Sequence, residues 1–219
     1  MTDTTKRRNW TKRIGFYALG IVAMAFGLSM TVRTGIGTPP AGAISYALSK
    51  LTPMSIGMCN TLFHIFCLLV QIIIKRQLTL KLVLQLPMAY VFGLLIDIFY
   101  GLLNISFSSF FGSLLFLIAG LLIFALGIRI VVGADVLLVP VDGLMKTIGN
   151  IFGWPTSKAK LIFDIAAATV TVLMTLIAAG DPFLAIGVGT VICVAGTGPA
   201  IGLYTKLFPF FDVGKNKDA

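Results

Sequence analysis

Gly35-Ile36-Gly37-Thr38-Pro39-Pro40 and, a hundred residues later, Gly133-Ala134-Asp135-Val136-Leu137-Leu138-Val139-Pro140 are the places where an otherwise lipid-like sequence stops reading as continuous helix. Each follows an apolar run long enough to cross a bilayer and precedes a helical segment of about a dozen residues, which at ~1.5 Å per residue covers only about 18 Å. Proline suits the first turn of such a helix, because its missing N–H falls where an N–H has no helical partner. Irregular backbone at membrane depth is tolerated only where protein or a wet cavity satisfies it. If the two stretches dip inward, they line something.

Working outward, six runs have bilayer length: Ile14 to Val32, Ser55 to Ile74, Leu82 to Leu103, Phe110 to Ile128, Leu161 to Ala179 and Phe183 to Leu203. The short segments are Ala41 to Leu51 and Val141 to Phe152. The expected fold is an all-α membrane protein of six transmembrane helices plus two short re-entrant or interfacial helices. The organisation reads as a basic cytoplasmic N-terminus (1–13), a first membrane repeat (14–104), a second membrane repeat (110–208) and a cytoplasmic tail (209–219). Composition agrees: 58% of residues are hydrophobic and only 11% charged, with a mean hydropathy of +1.00, where a soluble domain carries about 25% charged residues. The net charge of +9 does not indicate a nucleic-acid partner, which requires a basic face without bilayer-length apolar runs. Lipid is the expected surrounding.

The Lys and Arg residues set an orientation. Lys6, Arg7, Arg8, Lys12 and Arg13 precede the first run; Lys75, Arg76 and Lys81 lie between the second and third; Lys146, Lys158 and Lys160 between the fourth and fifth; Lys206, Lys215 and Lys217 after the sixth. With six crossings all of these fall on one side, and only Arg33 and Lys50 on the other. The positive-inside rule then puts both termini in the cytoplasm of an inner-membrane, multipass protein. The basic start and Ile14 to Val32 read as a retained helix, since no small-x-small cleavage site follows.

Laid on itself with an offset of 100, the chain superposes Gly20 on Gly120, Gly27 on Gly127, Pro40 on Pro140 and Leu62-Phe63-His64 on Ile162-Phe163-Asp164. More telling is the order span, Gly/Pro loop, short helix, span, span, which occurs twice. Three crossings per half make the second half enter from the opposite side, an inverted repeat of the kind that forms transporter sites near the midplane. The starts of the short helices, near Thr38 to Ala41 and Val139 to Val141, are then expected to aim their free N–H groups at a shared cavity, where a polar or anionic solute would bind.

Ionisable groups within the spans cost several kcal/mol unless paired or hydrated. His64, Asp97 and Asp164 are therefore candidates for substrate binding or an ion relay. Asn60, one turn before His64, joins it on one face. Asp135 and Asp142 are candidates in the second irregular segment. Asp142 would favour a cation, a proton or a neutral ligand there, whereas Gly42 in the first half leaves room for an anion. Arg129, Lys158 and Lys160 read as interfacial anchors, and the glycines of the last span as packing positions. Cys59, Cys67 and Cys193 lie singly in apolar runs, so neither a disulfide framework nor a metal site is expected, and no cofactor is implied. No nucleophile elbow, phosphate loop or metalloprotease helix occurs, so enzymatic activity is not expected.

The basic start into a Gly-rich span, the Gly35-x-Gly37-x-x-Pro40 loop before a short helix and the similar Gly133-x-Asp135 to Pro140 segment resemble the YczE/YyaS/YitT-like group of bacterial membrane proteins. The resemblance covers most of the chain and implies a multipass plasma-membrane protein; it brings no substrate or catalytic residues. The leading expectation is a small transporter or permease for a polar or anionic small molecule. The alternative is a substrate-binding or regulatory membrane subunit working with a partner, and a homodimer is compatible with either.

Overall fold

In lipid a crossing segment satisfies its backbone only within itself, so each bilayer-length apolar run becomes helix. The computed structural model describes residues 3–211 and contains no strand among them. The helices are α1 (Asp3–Arg33), α2 (Pro40–Leu51), α3 (Ile56–Lys75), α4 (Leu80–Leu102), α5 (Phe110–Ala134), α6 (Pro140–Ile151), α7 (Thr156–Ala179) and α8 (Val188–Leu207), followed by a 3-10 turn, Pro209–Phe211. Six of them, α1, α3, α4, α5, α7 and α8, have the length and hydropathy to cross a bilayer. The protein is a multipass membrane protein.

Several boundaries differ from the sequence reading, α7 among them, which starts at Thr156 instead of Leu161. Helix α1 runs back to Asp3, so the basic N-terminal segment continues the first span as helix. Helix α5 runs on to Ala134, which puts Arg129 inside it with only 3% of its surface exposed. Its guanidinium donates to the Phe208 carbonyl at 3.4 Å, a partner the sequence alone does not disclose. Helix α8 starts at Val188 instead of Phe183, because Gly180 ends α7 in the left-handed conformation and the Asp181 carboxylate accepts from the Phe183 amide at 2.9 Å, turning the chain. Residues 212–219 of the expected tail lie outside the described residues.

The centre of the molecule is the crossing of α1 and α5, made by glycines spaced seven apart on one face of each helix. A Cβ on Gly27 would lie 2.4 Å from the Phe124 nitrogen and 2.6 Å from the Gly120 carbonyl oxygen. One on Gly127 would lie 2.5 Å from the Met24 nitrogen and 2.8 Å from the Gly20 oxygen. Backbone therefore rests on backbone at Gly20–Gly127 and again at Gly27–Gly120. Around this crossing the first four helices and the last four make matching contacts: α1 packs on α4 and α5 on α8, α2 on α3 and α6 on α7, α2 on α7 and α6 on α3. The most unequal pairing is that of the last two helices of each half. Helices α3 and α4 pack closely through Gly57 and Gly93, whereas α7 and α8 scarcely touch. The loop before α2 docks on the start of α8, where Ile36 O accepts the Gly189 amide at 2.8 Å and Gly37 (φ +130°) faces Thr190. Gly189 and Gly196 of α8 face Leu117 and Leu121 of α5, while Gly198 and Gly202 face open space. Helix α8 continues unbroken through Gly196-Thr197-Gly198-Pro199.

Gly27→Val should destabilise the protein by about 1–3 kcal/mol, since its side chain has only backbone to displace. Gly15→Ala, with nothing within 4 Å of its added carbon, should stay within about 0.5 kcal/mol of wild type. Thermal unfolding in detergent distinguishes the two.

Candidate functional site

Helices α2 and α6 each begin with proline at the first position and no side-chain cap. Their first intrahelical bonds run from Ala43 N to Pro39 O and from Gly143 N to Val139 O, both 2.9 Å. The amides of Ala41 and Gly42, and of Val141 and Asp142, precede those bonds and carry the positive end of each helix. All four residues line one cavity of about 60 Å³ between the two sets of helices. At about 10–15 Å³ per probe-sized water, the cavity holds a few waters or a very small solute.

Its polar wall is built from two helices. On α3, His64 is 4% exposed and stacks on Phe92 with ring centroids 5.7 Å apart, its Nδ1 unpartnered. One turn earlier, Asn60 Oδ1 accepts from the Ser45 hydroxyl at 3.3 Å, which leaves the amide nitrogen buried and unpartnered. On α7, Lys160 and Asp164 form an ion pair at 2.8 Å, with Asp164 almost fully enclosed. Asp142 of α6 faces the same space. Buried nitrogens without partners are uncommon, because each forfeits a hydrogen bond it had in water. Leu28, Phe92, Phe124 and Phe163 are among the apolar residues of the remaining wall. The cavity offers amide and ammonium donors beside carboxylate acceptors.

Of the residues singled out by sequence, Gly42, Asn60, His64, Asp142 and Asp164 converge on this cavity. Gly42 is also required by packing, since a Cβ there would lie 2.6 Å from a Leu28 methyl. Thr38, Asp97 and Asp135 lie elsewhere. The Thr38 hydroxyl bonds that of Thr31 at 2.9 Å and its amide bonds Thr190, so it holds the loop. Asp97 accepts from the Ser55 hydroxyl at 2.6 Å and the Gly57 amide at 2.7 Å, capping the start of α3. Asp135 ends α5 in the left-handed conformation, with its carboxylate 3.4 Å from Arg13. Lys160, read as an anchor, belongs to the site; its spacing of four from Asp164 was the available signal. Among the described residues, no three His, Cys or Asp side chains gather as a metal site, and the three cysteines are free and buried.

The sequence profile of the Family of unknown function (DUF6198) matches residues 11–206. The chain is 25% identical to "Uncharacterized protein YyaS" of Bacillus subtilis (strain 168) over 204 residues, covering 92% of this chain and 96% of that one. It is 26% identical to "Uncharacterized membrane protein YczE" of the same organism over 190 residues, covering 86% and 81%. No solved structure matches the chain.

Removing Lys160 leaves a buried carboxylate without its partner. Lys160→Met should therefore destabilise by about 2 kcal/mol, less than a fully enclosed pair loses because the lysine side chain is 31% exposed. The double variant Lys160→Met/Asp164→Leu should regain most of that loss in a detergent melt.

Proposed function

The chain belongs to the Family of unknown function (DUF6198), and on that premise we propose that it is a small membrane transporter or permease for a polar or anionic solute, built as two inverted-topology repeats. The observation that carries this reading is that two uncapped helix starts, one from each half, open on the same cavity beside Asn60, His64 and the Lys160–Asp164 pair. Helix starts of this kind meeting at mid-membrane are how inverted-repeat transporters form their sites.

Two further features support the repeat. The glycine contacts of α1 and α5 exchange under the offset of 100: Gly20–Gly127 becomes Gly120–Gly27. The matched pairings α2–α7 and α6–α3 exchange in the same way. Rocking of one half against the other about the glycine crossing would open the cavity to each side in turn. The amides of α2 with Asn60 would hold the acceptor end of the solute, and Asp142 a proton or cation moving with it. No covalent step is involved. The orientation rests on the basic segments, which put both termini and the α6 loop in the cytoplasm of the cell membrane.

Purified protein in liposomes should exchange a labelled solute by counterflow, and His64→Ala and Asp164→Ala should each lose at least tenfold of that flux while still expressing and folding. Binding without flux would instead favour a substrate-capture subunit that needs a partner. Orientation has its own test. Single cysteines at Ser108 and Asp181 should react with an impermeant thiol reagent from outside intact cells, and those at Gln77 and Asn150 should not. Labelling of Gln77 from outside would overturn the inverted six-span arrangement.

A further inference from the structure

A second cavity, of about 260 Å³, lies on the flank of α6 between the end of α3, the start of α4 and the 135–138 loop. Lys75, Lys81 and Lys146 line it from exposed positions, one from each of α3, α4 and α6. Gln71 and Gln85 line it from buried ones, with 0% and 6% of their surfaces exposed. Gln71 Nε2 donates to the Pro140 carbonyl at 2.8 Å, and the other end of its amide has no partner. The Gln85 amide oxygen is likewise buried and unpartnered.

Three cations standing at the mouth of a cavity are the ordinary residue of the positive-inside rule. Two buried amide oxygens without partners in the lining are not explained by that rule; the Gln71 amide is held by its bond to Pro140, which leaves Gln85 as the one of the two that can turn. An amide turned by 180° has the same shape and exchanges acceptor for donors, so Gln85 can present its NH₂ group to an oxygen. Asp135 is the one carboxylate in the lining, and its charge is already matched by Arg13 at 3.4 Å. The three ammonium groups therefore have no anion in the cavity among the described residues. The start of α6 is shaped around this site as well: a Cβ on Gly143 would lie 2.6 Å from the Gln71 amide oxygen.

We propose that this cavity binds a phosphate-type oxyanion, either free in the cytoplasm as phosphate or a phosphomonoester, or as the headgroup of an anionic lipid. A tetrahedral oxyanion accepts from several directions at once, which matches lysines from three helices around one cavity and a Gln85 amide that can turn its NH₂ group to it. The site does not depend on transport through the central cavity and would stand in a protein that moves nothing.

The test uses the full chain in phosphatidylcholine nanodiscs. Inorganic phosphate is titrated by thermal shift against chloride at equal ionic strength, and retention of phosphatidylglycerol doped into the discs is read by native mass spectrometry. Saturable stabilisation by phosphate supports a soluble ligand, and preferential retention of phosphatidylglycerol alone supports a lipid headgroup. In either case Lys75→Gln/Lys81→Gln/Lys146→Gln should weaken binding at least tenfold, and Lys206→Gln should leave it unchanged. Gln85→Leu should weaken it several-fold, which keeps the test open if the triple variant does not fold. Neither phosphate nor phosphatidylglycerol binding, or equal binding by wild type and both vestibule variants, overturns the proposal.

Discussion

The contact of α1 with α5 at Gly20–Gly127 and Gly27–Gly120 is the constraint on which the rest of the molecule depends. Lipid tails are as apolar as leucine, so no hydrophobic force holds two membrane helices together; close packing does, and it is closest where there are no side chains. Two such pairs separated by seven residues fix both the crossing angle and the register of the helices. Once α1 and α5 are locked, the loops after them must turn back at opposite ends. The short helices those loops start are thereby brought to one central cavity from opposite sides. A single larger side chain at the crossing would change the separation of the two helices, and with it the size of the cavity lined by Met24, Leu28, Phe124 and Ile128 on these same two helices.

The two halves are not equally consolidated. Helices α3 and α4 meet at Gly57 and Gly93, where an added Cβ on Gly57 would lie 2.0 Å from the Gly93 oxygen, and Asp97 ties α4 to the start of α3. At the corresponding places in the second half the sequence has Ser157, Cys193 or Val194, and Thr197 or Gly198. No glycine pair and no capping carboxylate is available, so α7 and α8 stay apart. The groove left between them is walled by Ile165, Val172, Leu173 and Val194 and reaches Asp164, which also lines the central cavity. The more loosely held half is thus the one that carries the ion pair.

What was legible in the sequence followed from length and chain direction. The spans and both short helices could be read because the backbone in lipid has few options and proline marks a helix start. What was not legible depends on partners distant in sequence. Arg129 looked like a helix end because a buried guanidinium is costly, yet the Phe208 carbonyl accepts from it nearly 80 residues on. Asp97 looked like a relay residue because its partners, Ser55 and Gly57, belong to another helix. Thr38 looked like part of the site because it precedes the prolines, but its hydrogen bonds are spent on the loop. Of the five that line the cavity, the offset of 100 pairs Gly42 with Asp142 and His64 with Asp164, and Asn60 lies one turn before His64.

On the proposed repeat, the chemistry of the cavity departs from its geometry in a way that bears on the ligand. A perfect two-fold site would bind a solute equally well in two opposed orientations. Here the equivalent positions differ: the offset of 100 pairs Gly42 with Asp142, Asn60 with Lys160 and His64 with Asp164. Asp164 holds Lys160 at 2.8 Å, so the ammonium charge is largely matched and the carboxylate of Asp142 is left as the charge without a bonded partner in the second half. The first half has no carboxylate in the lining and presents amides, the Asn60 nitrogen and the imidazole. The backbone contacts at the α1–α5 crossing thus use glycine from both halves, while the side chains that line the cavity differ between them.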